Sequence, residues 1–363
     1  MKIISIIGTR PEIIKMSPLF ESLNKNFKHL IIHSGQHYDP ALDSSLFDEL
    51  MLPRPKIRLV TPPGDFAHQM SSIMIGLMKA LVKEKPDYVI VQGDTNTALC
   101  GALVAARLKI RVVHVEAGCR SGNPQSPEEQ NRILIDSISS IRFCPDKNSL
   151  DNLKKEGKAK SSFISGSTTF DAISRSIKLA PVKFYQTLGV ESGKYIVATL
   201  HRAENLDNLK SLIKKIDFLN WLSEHLPIVF PIHPRTQKFF KKNHIKLAKN
   251  IIQCGPLTHL PFLNLLKHCR LVVSDSGGIQ EEAAFLNRPC LILRGETEWT
   301  RLVKVKKNYL FTQLNRADYL LSLSLIQDEK FYGKTCQIKN PESRVGSSAF
   351  IIKKLKVAQK VGG

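Results

Sequence analysis

The sequence of 363 residues lacks the features of several large protein classes. No run reaches the roughly 18 consecutive apolar residues that a membrane-spanning helix needs. No Cys-x-x-Cys pair occurs, and the seven cysteines are odd in number, which argues against a disulfide framework and a zinc site and favours reduced thiols in the cytoplasm. The amino-terminal stretch has neither the length nor the cleavage pattern of a secretory signal, so we interpret it as a first strand.

Common cofactor and catalytic signatures are also missing. No Gly-x-Gly-x-x-Gly follows an apolar run, so the sequence makes no case for bound NAD or FAD. There is no Walker A motif, no His-Glu-x-x-His metal motif and no Gly-x-Ser-x-Gly nucleophile motif. We therefore expect neither a cofactor nor a metal ion.

Acidic residues are scarce relative to basic ones, 32 against 53, which gives a net charge of +21. Nucleic-acid binding is one explanation of such an excess. The lysine clusters at 241–249, 304–307 and 353–360, however, carry no interleaved aromatic residues and no nucleic-acid motif. We interpret them as solvated surface that attracts an anionic substrate, and expect no nucleic-acid or membrane partner.

What the sequence does contain is an alternation of apolar, β-branched runs with amphipathic helical patterns. This alternation predicts an α/β fold with parallel sheets, covered on both faces where runs such as 88–92 are unbroken. A poorly patterned stretch at 168–193 separates two similar halves. We predict two domains with a cleft between them, 1–168 and 169–346, the first joined by a C-terminal helix at 347–361.

Three carboxylates mark the first half. Asp94 follows the predicted strand 88–92, Glu116 ends the predicted strand 112–116, and Glu128 opens the next helix. Ligands of α/β proteins bind at the carboxyl ends of strands, and an ionised carboxylate resists burial. Asp94 alone is better explained as a helix cap. The three together favour acid/base catalysis.

Other polar segments also follow predicted strands. Arg10, after the first strand, could bind a phosphate or could simply be a solvated side chain. His201, beside Arg202, could bind a phosphate or transfer a proton, or the two residues could belong to an ordinary surface turn. In the second half, Ser276 and two glycines open a helix, whose exposed N–H groups and positive end would hold a phosphate. Glu282, one turn later, would accept hydrogen bonds from vicinal hydroxyls. The alternative for this segment is a plain capped helix with an acidic first turn.

Taken together and in order, eight segments resemble the non-hydrolysing UDP-N-acetylglucosamine 2-epimerases. They are Gly8-Thr-Arg-Pro-Glu12, Gly35-Gln-His37, Gln92-Gly-Asp-Thr-Asn-Thr97, His114-Val-Glu-Ala-Gly118, Pro127-Glu-Glu129 with Asn131-Arg132, Thr199-Leu-His-Arg-Ala-Glu-Asn205, His233-Pro-Arg-Thr236, and Asp275-Ser-Gly-Gly278 with Gln280-Glu-Glu-Ala283. The resemblance implies two Rossmann-like domains facing a cleft, the GT-B fold, usually in a homodimer. It also implies cofactor-free inversion at C2 of a UDP-sugar, feeding surface polysaccharide synthesis.

The resemblance also implies roles for individual residues. Asp94, Glu116 and Glu128 take the acid/base positions, and His201 takes the position of the catalytic or diphosphate-contacting histidine. The implied substrate-binding residues are Arg10, Lys15, Ser276, Gly277, Gly278, Glu282 and Phe262. Among these, Glu282 matches the ribose contact, and Phe262 lies near the expected uracil pocket.

Three alternatives remain open. Thr297-Glu-Trp-Thr-Arg301 departs from the usual pattern and is similar to relatives acting on diacetamido-uronic acid nucleotides, so the sugar is one open point. A hydrolysing epimerase or a GT-B glycosyltransferase is the second alternative, although the segment 94–97 argues against the hydrolysing branch. A basic, non-catalytic nucleotide-binding protein is the third, and the intact acid/base set argues against it.

Overall fold

The computed structural model describes residues 1–36, 40–62, 64–200, 209–232, 234–297, 299–338 and 345–361. The chain divides into two compact units: unit 1 is Met1–Arg175 with Glu342–Gly363, and unit 2 is Ser176–Pro341. The sequence places the boundary at residue 168, whereas the units divide after Arg175, because the helix Thr168–Leu179 runs through the predicted point. In each unit the described strands form one parallel sheet, which confirms the predicted α/β class.

The described strands of unit 1 form a single sheet in the order β3-β2-β1-β4-β5-β6-β7. Its strands are β1 (Lys2–Ile7), β2 (Lys28–His33), β3 (Ile57–Arg58), β4 (Tyr88–Gln92), β5 (Arg111–Val115), β6 (Ile141–Cys144) and β7 (Ser162–Ile164). Its helices are α1 (Arg10–Asn26), α2 (Pro40–Glu49), α3 (Phe66–Glu84), α4 (Asn96–Arg107), α5 (Pro127–Ile138), α6 (Lys147–Lys155), α7 (Thr168–Leu179, ending in unit 2) and the C-terminal α15 (Ser347–Val361). Helix α15 packs on α1.

Unit 2 repeats this plan with the order β10-β9-β8-β11-β12-β13. Its strands are β8 (Ile196–Thr199), β9 (Ile228–Pro231), β10 (Ile251–Cys254), β11 (Leu271–Ser274), β12 (Cys290–Ile292) and β13 (Asn308–Leu310). Its helices are α8 (Leu209–Ser223), α9 (Pro234–Lys242), α10 (His259–His268), α11 (Gly277–Phe285), α12 (Thr300–Lys304), α13 (Arg316–Gln327) and α14 (Glu329–Gln337), with a 3₁₀ helix at Phe184–Leu188. In both sheets the strand order reverses beside the first strand, as in Rossmann-like folds.

The segment from β4 to α5 positions the first-half carboxylates. All five residues of β4 are buried, because this β-branched run packs on both faces of the sheet. β4 pairs with β5 in register from Tyr88–Arg111 to Gln92–Val115, so both strands end at the same edge. Asp94 and Glu116 therefore follow neighbouring strands at the carboxyl edge of the sheet.

Two further findings concern the described residues as a whole. None of the helices that the structure describes is long and apolar enough to cross a membrane. All seven cysteines are free thiols, five of them buried.

Candidate active site

Glu116 is held by two side chains at the carboxyl edge of the unit 1 sheet. Its backbone has a φ of 70°, a left-handed conformation that turns the chain directly after β5. Lys15 Nζ, from α1, donates to both carboxylate oxygens at 3.0 and 2.7 Å, and Gln92 Nε2, at the end of β4, donates to Oε2 at 2.7 Å. The structure thus joins two predicted site residues, Lys15 and Glu116.

Asp94 is not the cap of α4, so the capping interpretation was wrong. The cap is Thr95, whose hydroxyl oxygen accepts from the Ala98 N–H at 3.0 Å. The Asp94 carboxylate instead pairs with Arg132 of α5, and Asn131 Nδ2 donates to the Asp94 carbonyl oxygen at 2.8 Å. Because both contacts come from α5, that helix fixes the position of Asp94.

The two acidic residues that open α5 have different surroundings. Glu129 is buried, where it accepts from the N–H groups of Ser121 and Gly122 at 2.9 and 3.1 Å and pairs with Arg132 at 2.9 Å. Glu128 is exposed, and its Oε2 accepts from the Ser126 hydroxyl at 2.7 Å. Glu129 therefore stabilises the loop before α5, while the Glu128 side chain is accessible to solvent.

The turn after β1 is tied to the turn after β4 through Glu12. Arg10 begins α1 and is partly exposed, whereas the Glu12 carboxyl is buried. Glu12 accepts from the Gly8 N–H at 2.8 Å, the Thr9 hydroxyl at 2.9 Å and the Thr95 hydroxyl at 2.7 Å. Burial raises the pKa of Glu12 to about 7, although the hydrogen bonds from Thr95, Gly8 and Thr9 act in the opposite direction. Glu12 thus fixes the backbone next to Arg10 and Asp94.

In unit 2 the predicted phosphate segment opens a helix directly after a strand. α11 begins at Gly277, and its N-cap residue, Ser276, makes no side-chain capping bond. A Cβ at Gly278 would meet no atom within 4 Å, and its φ is not positive, so neither the backbone nor a neighbour requires glycine there. Open backbone at a helix N-terminus suits an anion. This geometry favours a ligand over a plain cap.

Some of the remaining predicted site residues lie within the described ranges and some do not. Glu282, in the middle of α11, is partly exposed, and the partly buried Phe262 packs on one hydrophobic core of unit 2. His201 lies outside the described residues, as does His233. Within the described ranges, His, Cys, Asp and Glu side chains form no group suited to a metal ion.

Sequence reasoning missed several residues of this arrangement. Gln92, Glu12 and Asn131 lie inside the quoted motifs but received no role, and Arg132 was noted without a partner. Only the Glu129–Arg132 pair has a local signal, since an acid and a base three residues apart share a helix face.

A family model described as UDP-N-acetylglucosamine 2-epimerase matches residues 21–356 of the chain. The chain is 44% identical over 323 residues to the UDP-N-acetylglucosamine 2-epimerase of Methanocaldococcus jannaschii, covering 85% of this chain and 88% of the relative. It is 38% identical over 315 residues to the UDP-2,3-diacetamido-2,3-dideoxy-D-glucuronate 2-epimerase of Pseudomonas aeruginosa, covering 85% of this chain and 88% of the relative.

The fold is similar to that of a solved relative over almost its whole length. The crystal structure of the M. jannaschii UDP-GlcNAc 2-epimerase in complex with UDP-GlcNAc and UDP matches with a TM-score of 0.88 and 40% identity. The match covers 98% of this chain and 100% of that one.

Proposed function

The chain belongs to the UDP-N-acetylglucosamine 2-epimerase family, and we propose that it interconverts UDP-N-acetylglucosamine and UDP-N-acetylmannosamine without a cofactor. The observation that carries this proposal is the placement of Asp94 and Glu116 after two neighbouring strands, each held by a cationic side chain. Inversion by removal of a carbon-bound proton and its return to the opposite face requires such fixed acid/base groups. In this reaction class the protein is an isomerase.

The proposed reaction is an elimination followed by a re-addition. A carboxylate takes the C2 proton, the C1–O bond breaks with its electron pair leaving on UDP, and a C1=C2 double bond forms. UDP then adds back through its oxygen to C1, and a proton is delivered to C2 on the opposite face. Asp94, Glu116 and Glu128 are the proposed acid/base groups, with His201 as a catalytic or diphosphate-contacting residue.

Each unit, taken by itself, carries residues that we propose as nucleotide contacts. In unit 1, Arg10 and Lys15 supply positive charge toward the diphosphate. In unit 2, the proposed diphosphate contacts are Ser276, Gly277 and Gly278 at the start of α11. The Ser276 N–H donates to the Ser274 hydroxyl oxygen at 3.0 Å, so Ser276 is proposed to contact phosphate through its hydroxyl group, and the two glycines through backbone N–H groups at the positive end of the helix. Glu282 is the proposed acceptor for the ribose hydroxyls, and Phe262 is proposed to border the uracil.

Incubation with UDP-N-acetylglucosamine in D2O, followed by proton NMR, tests the reaction. Because C2 exchanges its proton with solvent, both epimers are expected to carry deuterium at C2. Free N-acetylmannosamine with UDP would instead place the protein among hydrolysing epimerases. Absence of both turnover and UDP binding would contradict the proposal.

A UDP-2,3-diacetamido-uronic acid is the alternative substrate. The 38% identity to the P. aeruginosa enzyme and the Glu298-Trp299 pair support it, but identity to the N-acetylglucosamine enzyme of M. jannaschii is higher. In the same NMR experiment, deuterium exchange at C2 of the uronate nucleotide but not of UDP-N-acetylglucosamine would establish this alternative.

We also propose that the protein is a homodimer. Three apolar residues on α3, namely Ile75, Met78 and Val82, are between 39% and 58% exposed, and Leu134 on α5 is 49% exposed. Helix α4 lies between α3 and α5, so these side chains border one helical layer. Light scattering is expected to give the mass of a dimer, and Met78→Glu with Leu134→Glu to give a monomer. Val182→Glu, at an apolar residue of unit 2 that is 80% exposed, is the control that should leave the mass unchanged.

The cellular setting is a further proposal. Seven free thiols suit a reducing compartment, which supports a cytoplasmic location. N-acetylmannosamine nucleotides would then feed a surface polysaccharide. Cell fractionation with an antibody to the protein tests the location, and recovery outside the cytoplasmic fraction would contradict it.

A further inference from the structure

His114 lies fully buried between two hydrogen-bond acceptors. It belongs to β5, two residues before Glu116, and none of its surface is exposed. Its Nε2 is 2.8 Å from the Gly93 carbonyl oxygen, and its Nδ1 is 2.7 Å from Asp136 Oδ1. A carbonyl oxygen can only accept a hydrogen bond, so Nε2 must carry a hydrogen.

Asp136 has no spare proton to offer the ring. Its Oδ2 already accepts from the Gly118 N–H at 3.1 Å and from Arg120 Nη2 at 2.7 Å. The guanidinium group of Arg120 carries a permanent charge, so its contact with Oδ2 stabilises the ionised form of the Asp136 carboxyl group. Asp136 is therefore an anion, and Nδ1 must donate to it as well.

A neutral imidazole has only one N–H, so either tautomer would direct a lone pair at an oxygen within a buried site. We propose that His114 is held as an imidazolium ion and is a positioning residue for both Asp94 and Glu116. The positioning role of His114 rests on the proposed function. The charge state rests on the hydrogen bonds alone.

The hydrogen bonds of His114 fix backbone segments that have left-handed conformations. Gly93 immediately precedes Asp94 and has a φ of 70°, Glu116 has a φ of 70°, and Gly118 has a φ of 79°. Left-handed backbone at a residue such as glutamate is strained and persists only when its surroundings fix it. His114 fixes the Gly93 carbonyl directly and the Gly118 N–H through Asp136. One ion thus sets both catalytic turns.

The charged and titratable groups around the His114–Asp136 pair come from several helices, strands and loops. Arg120, after β5, contacts Asp136 and also pairs with Glu156 after α6 at 2.8 Å. On β6, Arg142 Nε donates to the Asp136 carbonyl oxygen at 2.6 Å, and the Cys144 thiol, whose pKa is raised to about 12 by burial, stays neutral. Lys158 also pairs with Glu156, at 2.7 Å, so Glu156 is shared between two cations while Asp136 is the carboxylate that contacts the His114 ring.

His29 provides a matched comparison within the same protein. Its Nδ1 lies 2.7 Å from Asn24 Oδ1, an acceptor, but its Nε2 lies 2.9 Å from the Ser5 hydroxyl, which can donate. One neutral tautomer satisfies both partners, and burial lowers the pKa of His29 to about 4. His29 should therefore show one protonated and one bare ring nitrogen.

The test is ring ¹⁵N NMR of the full-length protein labelled at histidine, at about pH 8, well above the ordinary histidine range. His114 is expected to show two protonated nitrogens and His29 one, with the signals assigned by their loss in His114→Gln and His29→Gln. A bare ring nitrogen at His114 would overturn the charge assignment. This measurement does not depend on turnover, so it stands even if the proposed reaction fails.

The positioning role is tested by kinetics per folded molecule, counted by UDP titration. His114→Gln keeps one donor and is expected to lower kcat by about 10–100-fold, as loss of a supporting contact does, with KM and UDP affinity nearly unchanged. His29→Gln should retain wild-type kcat. If His114→Gln lowers the melting temperature but keeps kcat within about twofold, the residue is merely structural. Should that variant not fold, Asp136→Asn, which keeps the size of the side chain, replaces it in the same comparison.

Discussion

Replacing Glu116 by glutamine is expected to lower kcat by about 10²–10⁴-fold, the usual contribution of a general acid or base. Glutamine keeps the size of the side chain and can still accept from Lys15 and Gln92 through its carbonyl oxygen, but it cannot transfer a proton. The fold and the affinity for UDP should therefore be largely kept. Steady-state epimerisation of UDP-N-acetylglucosamine and UDP titration measure the two quantities separately. Asp94→Asn, which likewise keeps its shape beside Arg132, is expected to behave in the same way.

The chain contains a matched control for this substitution. The Lys2–Glu84 pair has an N–O distance of 2.6 Å and side chains 19% and 14% exposed, against 2.7 Å, 13% and 14% for Lys15–Glu116. Glu84, at the end of α3, is not among the proposed site residues. Glu84→Gln should therefore disturb a similar ion pair without changing kcat. If Glu116→Gln and Glu84→Gln give the same kcat, Glu116 has a structural role and takes no part in acid/base catalysis.

The fold was most predictable where a strand is an unbroken apolar run. The predicted strand 88–92 coincides with β4, since Tyr88-Val-Ile-Val has no polar interruption. β6 was missed because Arg142 interrupts its run. That arginine is tolerated in a buried strand because its Nε donates to the Asp136 carbonyl oxygen, a contact no local pattern reveals. β13 was missed for a similar reason, since it begins at the buried Asn308.

The candidate site was predictable in position but not in its contacts. A residue directly after a predicted strand lies at the sheet edge whatever the rest of the chain does, which is why Asp94 and Glu116 could be placed. Their partners are distant in sequence: Lys15 and Glu116 are 101 residues apart. Which of Glu128 and Glu129 is buried depends on how α5 packs, so adjacent acids on one helix look alike in the sequence.

Gly118→Ala is expected to have the largest effect on stability, on the order of 3–5 kcal/mol of unfolding free energy. Gly118 has a φ of 79°, which an alanine adopts only at a cost. Its new Cβ would also lie 2.2 Å from the Ser149 carbonyl oxygen and 3.0 Å from Leu153 Cγ. Since the nearest atom belongs to the backbone of α6, no side-chain rotation relieves the clash. Urea denaturation followed by circular dichroism measures the loss.

Gly157→Ala separates the two causes. Gly157 has a φ of 71°, but a Cβ there would meet no atom within 4 Å, so this variant carries the backbone cost without the clash. It should lose only about 1–2 kcal/mol. Gly118→Ala should also lower kcat per folded molecule, because the Gly118 N–H is bound by Asp136 and the residue lies two positions after Glu116. Equal losses of stability in the two variants would mean that α6 moves away freely, and the tight packing of Gly118 against Ser149 would then not be what fixes the Glu116 turn.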